Sequence, residues 1–346
     1  MASGLDSEPL TVRAPATVSS LTERDLIARI QARLPAPPPW MIVGIGDDAA
    51  VVEPERNRLE VLSVDALVEG IHFDRAFTPP DAIGHRALAA NLSDLAAMGA
   101  DARLALLSLG LPETFPVADF DALIDGLAAL AARHRLHVAG GNLTRSPGPL
   151  IVDVTVVGTV KRRRALLRGG ARAGDELYVS GTIGAAAAGL QMLRASVSSV
   201  VEPCVSRYLY PEPRVRLGSI LGRTRAATAC MDLSDGLADA VRQVADASGV
   251  GAIIEAAELP IEPEARRWFE SRGADPVHEA MVGGDDYELL VAVRPRSRGR
   301  LAAAQRHGGV ALTRIGVCTA GGGVPGVSVR RDGALEPMPR GYTHFR

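Results

Sequence analysis

At 346 residues the chain is long enough for two domains with substantial cores. A formal net charge of −2 supplies no basic field for nucleic acid or an anionic membrane, and no apolar run approaches the ~20 residues that span a bilayer. Cys204, Cys230 and Cys318 are widely spaced without a C-x-x-C pair, and the N-terminus lacks a basic start followed by an apolar stretch, so a cytoplasmic protein without a zinc site is expected.

In chain order, residues 1–19 mix Ser, Pro, Thr and Ala without periodicity and read as a loose tail. Ser20-Leu21-Thr22-Glu23 predicts a capping box, with Ser20 as N-cap, ahead of a helix bearing Leu26, Ile27, Ile30 and Leu34. Prolines from Pro35 onward stop it. Strands are expected over 40–43 and 59–64, the second ending at Asp65. His72 follows, either a buried core histidine or a residue facing whatever Asp65 helps to build.

A helix is predicted over 81–98, where Asn91 and Asp94, three apart, can share one face. The bland alternative leaves Ser93 and Asp94 in solvent. A strand over 104–109, an alanine-rich helix over 117–135 and a strand over 136–139 come next. The last leads into Gly140-Gly141-Asn142, read as a turn that lets backbone approach an anion, with Arg145 as a charge partner. A strand over 151–160 precedes a basic run, Lys161–Arg164, taken as the domain junction.

The second half predicts strands over 176–180, 229–233, 252–255, 287–293 and 313–317. Helices are expected after Gly184 and over 235–248 and 299–307, with mostly loop plus a short helix over 195–213. Ser234 either caps the 235–248 helix or touches a phosphate. This alternation argues for an α/β, more fully a mixed α+β, protein in two domains, 20–160 and 165–346.

Five islands of small residues plus aspartate stand out: Gly44–Ala50 with Asp47 and Asp48, Ser63-Val64-Asp65, Asn91–Asp94, Asp232–Gly236, and Gly283–Asp286. Any one is an ordinary solvated turn. Together they suggest a polyvalent metal and phosphate site drawn from distant segments. Lys161 is the only lysine and follows Val160, so no P-loop exists, and phosphate chemistry falls to metals, arginines and backbone amides.

With the islands in order the chain resembles the thiamine-monophosphate kinases, of the superfamily that includes aminoimidazole ribonucleotide synthetase. The matching blocks are GIGDDAAVV (44–52), SVDALVEGIHF (63–73), NLSDLAAMGA (91–100), GGNLTRSPGPL (140–150), RALLRGGARAGD (164–175), MDLSDGLADA (231–240), GGDDYEL (283–289) and GYTHF (341–345). The resemblance implies transfer of the γ-phosphoryl of ATP to thiamine monophosphate. It implies that Asp48, Asp65, Asp94, Asp232 and Asp235 hold several Mg²⁺ ions, with Ser63, the backbone of Val64 and Asn142 assisting, and that Asp48, Asp94 and Asp232 carry the catalysis. Gly141, Asn142, Arg168 and Ser234 would contact ATP; His72, Asp285 and Tyr342 would face thiamine. A homodimer paired through N-terminal sheets is implied as well.

The chemistry agrees with that resemblance. Two phosphate anions approach only with cations between them, and positioning plus charge neutralisation then suffices without a covalent intermediate. The chain departs from the family pattern at Asn142, where the family usually has a metal-ligating Asp, and at Asp285, where Glu is common. Two other readings stay open. One is a superfamily member that uses ATP to activate an amide or carbonyl oxygen, against which the GYTHF and SVDALVEGIHF blocks speak. The other is a non-catalytic thiamine-phosphate or nucleotide binder, to which Asn142 lends weight.

Overall fold

The computed structural model describes residues 16–196, 203–320 and 326–341. Its first half contains α1 (Glu23–Arg33), β1 (Met41–Val43), β2 (Val51–Val52), β3 (Arg58–Val68), α2 (Pro80–Ala97), β4 (Asp101–Pro112), α3 (Val117–His134), β5 (His137–Ser146) and β6 (Ile151–Lys161). Strands β3, β6, β4 and β5 form one sheet in that order, antiparallel except for the β4–β5 pair, which α3 connects as a crossover. Side chains alternate across it. Val152, Val154 and Val156 are wholly buried towards the helices, whereas Leu62, Val64 and Leu106 lie exposed on the opposite face.

The second half contains β7 (Glu176–Ser180), α4 (Ala185–Arg194), α5 (Pro203–Leu209), α6 (Val215–Thr224), β8 (Ala229–Asp232), α7 (Leu237–Ser248), β9 (Val250–Glu255), α8 (Pro263–Ser271), α9 (Pro276–Val282), β10 (Leu289–Val293), α10 (Arg298–Gly308), β11 (Leu312–Ala320), β12 (Val327–Arg331) and β13 (Ala334–Pro337). Seven of these strands make a mixed sheet, ordered β13-β12-β9-β11-β7-β10-β8. Strand β10 is apolar on both faces. Leu289, Val291 and Val293 join a core shared with α2, α6 and α10, while Leu290 and Ala292 pack with α7.

Helix α2 therefore lies between the two sheets. Leu88, Leu92 and Leu95 belong to the same cluster as Leu289 and Val291, so the halves share one continuous core. Close packing around α2 depends on glycine. A Cβ on Gly84 would sit 1.9 Å from the Leu123 carbonyl oxygen, and one on Gly126 would sit 2.0 Å from that of Asp81. The α2 and α3 backbones thus touch at two reciprocal points.

Several sequence expectations change. The capping box belongs to Thr22 and Asp25: the Thr22 hydroxyl accepts from Asp25 N at 3.2 Å and Asp25 accepts from Thr22 N at 2.9 Å. Ser20 instead ends a preceding 3₁₀ turn and donates to the Thr17 carbonyl. Part of the expected tail is fastened, since Val18 N donates to the Phe115 carbonyl and Val117 N to that of Ala16. Asp65 lies inside β3, not at its end. Gly140 and Gly141 lie inside β5, where a Cβ on Gly141 would stand 1.8 Å from the Leu107 carbonyl oxygen. The apposed strand demands that glycine. Helices α6, α8 and α9 and strands β12 and β13 were not foreseen. No helix among the described residues is long and apolar enough to cross a membrane.

Gly84→Ala is expected to lower stability, because overpacking costs roughly 1–3 kcal/mol and outweighs the ~1 kcal/mol gain in helix propensity. Gly299→Ala, where an added Cβ meets nothing within 4 Å, should keep or raise it. Urea midpoints of the two variants decide the point.

Candidate active site

Strand β3 turns Ser63 and Asp65 towards α2, and α2 answers with Asn91 and Asp94. Ser63 Oγ donates to Asp94 Oδ2, and Asp65 N donates to Asn91 Oδ1 at 3.1 Å. Ser93, one residue round the helix, points across to the other domain, where its hydroxyl donates to Asp232 Oδ2 at 2.7 Å. Ser93 is wholly buried, so the solvated reading of this segment fails.

These bonds bring carboxylates from three segments into one electrostatic group. Asp232 is 3% exposed, and burial, then repulsion from Asp94, pushes its pKa up to about 7. Asp65 keeps solvent on one side, yet packing around its carboxylate, with repulsion from Asp94, Asp235 and Asp153, raises it to about 6. Burial also raises Asp94, although the Ser63 bond and Arg168 work against this. The Asp65 and Asp94 carboxylates are neighbours on facing elements, each acting on the charge of the other. Arg168 supplies positive charge to both Asp94 and Asp232, and its Nη1 donates to Gln243 Oε1 at 2.6 Å.

Asp48 stands apart from this group. It lies in the exposed β1–β2 loop, its amide bonded to Asp47 Oδ1 at 2.9 Å. With Gly141, Asn142 and Asp153 it lines a cleft of about 1220 Å³ over the open face of the first sheet. Asp153 belongs to both places, since it lines the cleft and its charge acts on Asp65. The sequence reading missed it. Its signal was a lone acid in the run Val152-Asp153-Val154, which strand alternation sends to the face opposite the valines.

Loop 233–236 is stitched to loop 284–288. Asp285 N donates to the Ser234 carbonyl at 2.8 Å, and a Cβ on Gly284 would sit 2.4 Å from that oxygen. Ser234 does not cap α7, whose N-cap is Gly236 and has no side-chain cap. The Gly283–Asp286 island divides in function. Asp286 is buried and accepts from Gly184 N and Ala186 N at the start of α4, while burial raises its pKa to about 7. Asp285 instead faces Arg86 at 3.2 Å and Tyr287 at 3.0 Å. His72 Nδ1 accepts from Val68 N at 3.0 Å and closes the turn after β3. Arg145 pairs with Glu113 at the exposed surface. Tyr342 lies outside the described residues; a Cβ on Gly341 would stand 3.1 Å from Asp239 Cβ and 3.2 Å from the Asp235 carbonyl oxygen.

Comparison with known proteins places this geometry. Residues 46–160 match the family model for the AIR synthase related protein, N-terminal domain, and residues 172–327 match that for the C-terminal domain. Thiamine-monophosphate kinase of Escherichia coli K12 is 39% identical over 331 residues, covering 93% of this chain and 98% of its own. The chain belongs to the thiamine-monophosphate kinase family. The crystal structure of the Stenotrophomonas maltophilia K279a kinase superposes with a TM-score of 0.80 at 38% identity, covering 91% of this chain and 98% of the other. A further family structure, AaThiL complexed with AMPPCP and TMP, has a TM-score of 0.74 at 33% identity and covers 87% of this chain and 92% of that one.

The donor set suits a hard cation of the kind a kinase uses. Among the described residues no three His, Cys, Asp or Glu side chains form a ready cage. The carboxylates instead repel one another, an arrangement that oxygen-seeking Mg²⁺ with its own waters and a phosphate would relieve.

The raised Asp232 pKa has a testable sign. Below pH ~4 both folded and unfolded states hold the proton. Between ~4 and about 7 only the folded state does, so stability falls as pH rises; above that the cost is constant. In metal-free protein, Asp232→Asn should therefore be more stable at pH 8 by roughly 1–4 kcal/mol, with the advantage gone at pH 4. Urea midpoints in chelator across this range measure it, and an advantage independent of pH would refute the assignment.

Proposed function

We propose that this protein transfers the γ-phosphoryl group of ATP to the phosphate of thiamine monophosphate, giving thiamine diphosphate and ADP. One observation carries the reading: Asp65, Asp94 and Asp232, from β3, α2 and β8, act on one another beside Arg168 in a chain of this kinase family. The bond between the β- and γ-phosphates breaks, and a new anhydride forms to the substrate phosphate. The attacking oxygen is already ionised at neutral pH, so no general base is needed.

On this reading Asp48, Asp65, Asp94, Asn142, Asp232 and Asp235 hold Mg²⁺, with Ser63 and the Val64 backbone assisting. Bound Mg²⁺ supplies neutralisation of the charge shared by the two phosphates. Asp48, Asp94 and Asp232 are the catalytic carboxylates. Ser63 and Ser93 orient two of them through the bonds described above. Gly141, Asn142, Arg168 and Ser234 contact ATP, and His72, Asp285 and Tyr342 face the thiamine moiety. A cytoplasmic homodimer is part of the proposal. The face bearing Leu62 and Val64, 66% and 58% exposed, is the surface a second copy would cover.

Incubation with ATP, Mg²⁺ and thiamine monophosphate should yield thiamine diphosphate and ADP in equal amounts. Hydrolysis of ATP without thiamine diphosphate, or binding without turnover, would refute the kinase reading. Asp94→Asn should keep the native melting transition while lowering kcat roughly hundred-fold or more.

Asn142 gives a test with two signs. If position 142 lies in a metal's shell, Asn142→Asp restores a charged ligand and should lower the Mg²⁺ needed for half-maximal rate roughly three- to ten-fold. If it touches only ATP, the added charge weakens nucleotide binding and more Mg²⁺ is needed. Titration at saturating ATP separates the two.

A further inference from the structure

Arg86 is the largest fully buried side chain of α2, 1% exposed, and the phosphoryl chemistry does not use it. A buried guanidinium is costly unless its donors are placed. Here two of them reach α5 and the loop before β10, while Nε is left without a hydrogen-bond partner. Nη2 donates to Asp285 Oδ2 at 3.2 Å, and Nη1 donates to the Tyr208 carbonyl, while the guanidinium lies 4.0 Å from the centroid of the Tyr208 ring. The Tyr208 hydroxyl continues to the His72 carbonyl at 3.5 Å. One cation thus ties together the two described residues assigned to the thiamine end.

Asp285 needs the tie. Its φ of +66° lies in the left-handed region, which a non-glycine residue occupies only when its surroundings hold it. Arg86 takes one carboxylate oxygen and Tyr287 Oη donates to the other at 3.0 Å. An ionised carboxylate accepts about four hydrogen bonds, so two sites stay open to a ligand N–H. Arg86 and Asp94 share one helix, eight residues or about 12 Å apart along its axis. A single rigid rod therefore spaces the thiamine end from the phosphate end.

We propose that Arg86 is a positioning residue for the thiamine end of the substrate, fixing Asp285 directly and the His72 turn through Tyr208. The proposal rests on the assignment of Asp285 to thiamine. Its test measures KM for thiamine monophosphate and for ATP, kcat and melting temperature in Arg86→Lys, Asp285→Ala and the double variant. Lysine keeps the charge, but a single ammonium cannot reproduce a planar fork to two partners.

Arg86→Lys is expected to melt near the parent temperature and to raise KM for thiamine monophosphate roughly ten-fold or more, with KM for ATP nearly unchanged. The double variant should lose less than the sum of the two single variants, because Arg86 acts in part through Asp285 and in part through Tyr208. An equal rise in both KM values, no rise in a folded Arg86→Lys, or fully additive losses would each overturn the proposal. If Asp285→Ala itself leaves KM for thiamine monophosphate unchanged, the underlying assignment fails instead. A raised KM in Asp285→Ala with a silent Arg86→Lys condemns Arg86 alone.

Discussion

A helix buried on all sides cannot leave a polar side chain idle, and α2 is such a helix. It lies between two sheets with His85, Arg86, Asn91 and Ser93 all buried. Unpaired, each would cost roughly 1–3 kcal/mol or more. Each is partnered: His85 Nε2 meets the Pro211 carbonyl at 2.8 Å, Asn91 Nδ2 donates to that of Ala87 at 3.0 Å, and Arg86 and Ser93 reach the second domain. Beyond Ala87 in α2 itself, the partners lie in α5, at the end of β8 and in two loops. These bonds tie α2 to the segments that carry Asp232 and Asp285.

The same arrangement gathers like charges. Carboxylates at a few ångströms repel by several kcal/mol where water is partly excluded, and here Arg168 offsets both Asp94 and Asp232. A protein tolerates that where function needs it, as when anionic phosphates must be met through a hard cation. The glycines at 84, 126 and 284 let backbones approach closely enough to hold the group together. Rigidity in the core and repulsion in the site are two sides of one design.

Much of this was legible beforehand. Asp65, Asp94 and Asp232 were recognisable because aspartate in short runs with serine recurs along the chain, and the helix over 81–98 and the strand over 176–180 follow from apolar periodicity. Arg86 was not. On a helix with apolar residues on every side, no polar face marks which cation turns inward. Asp286 read like Asp285, yet one caps α4 and the other meets Arg86. Adjacent residues leave the backbone in different directions, and nothing local says which direction holds a ligand. The capping box slipped by two because Ser20 to Glu23 and Thr22 to Asp25 both satisfy the pattern, and the packing of Val18 against Phe115 chooses between them.

The sequence by itself determined the periodicities, the absence of a P-loop, and the carboxylates available for phosphate chemistry, since each depends on residues close in the chain. Tertiary structure alone decided that Ser93 and Asp94 face different domains and that Asp153 joins the acidic group. It also decided that Gly141 answers to a neighbouring strand and that Arg86 bridges α5 and the loop before β10. These follow from which backbones meet across 26 to 199 residues of chain, and a separation of that kind leaves no trace in local spacing.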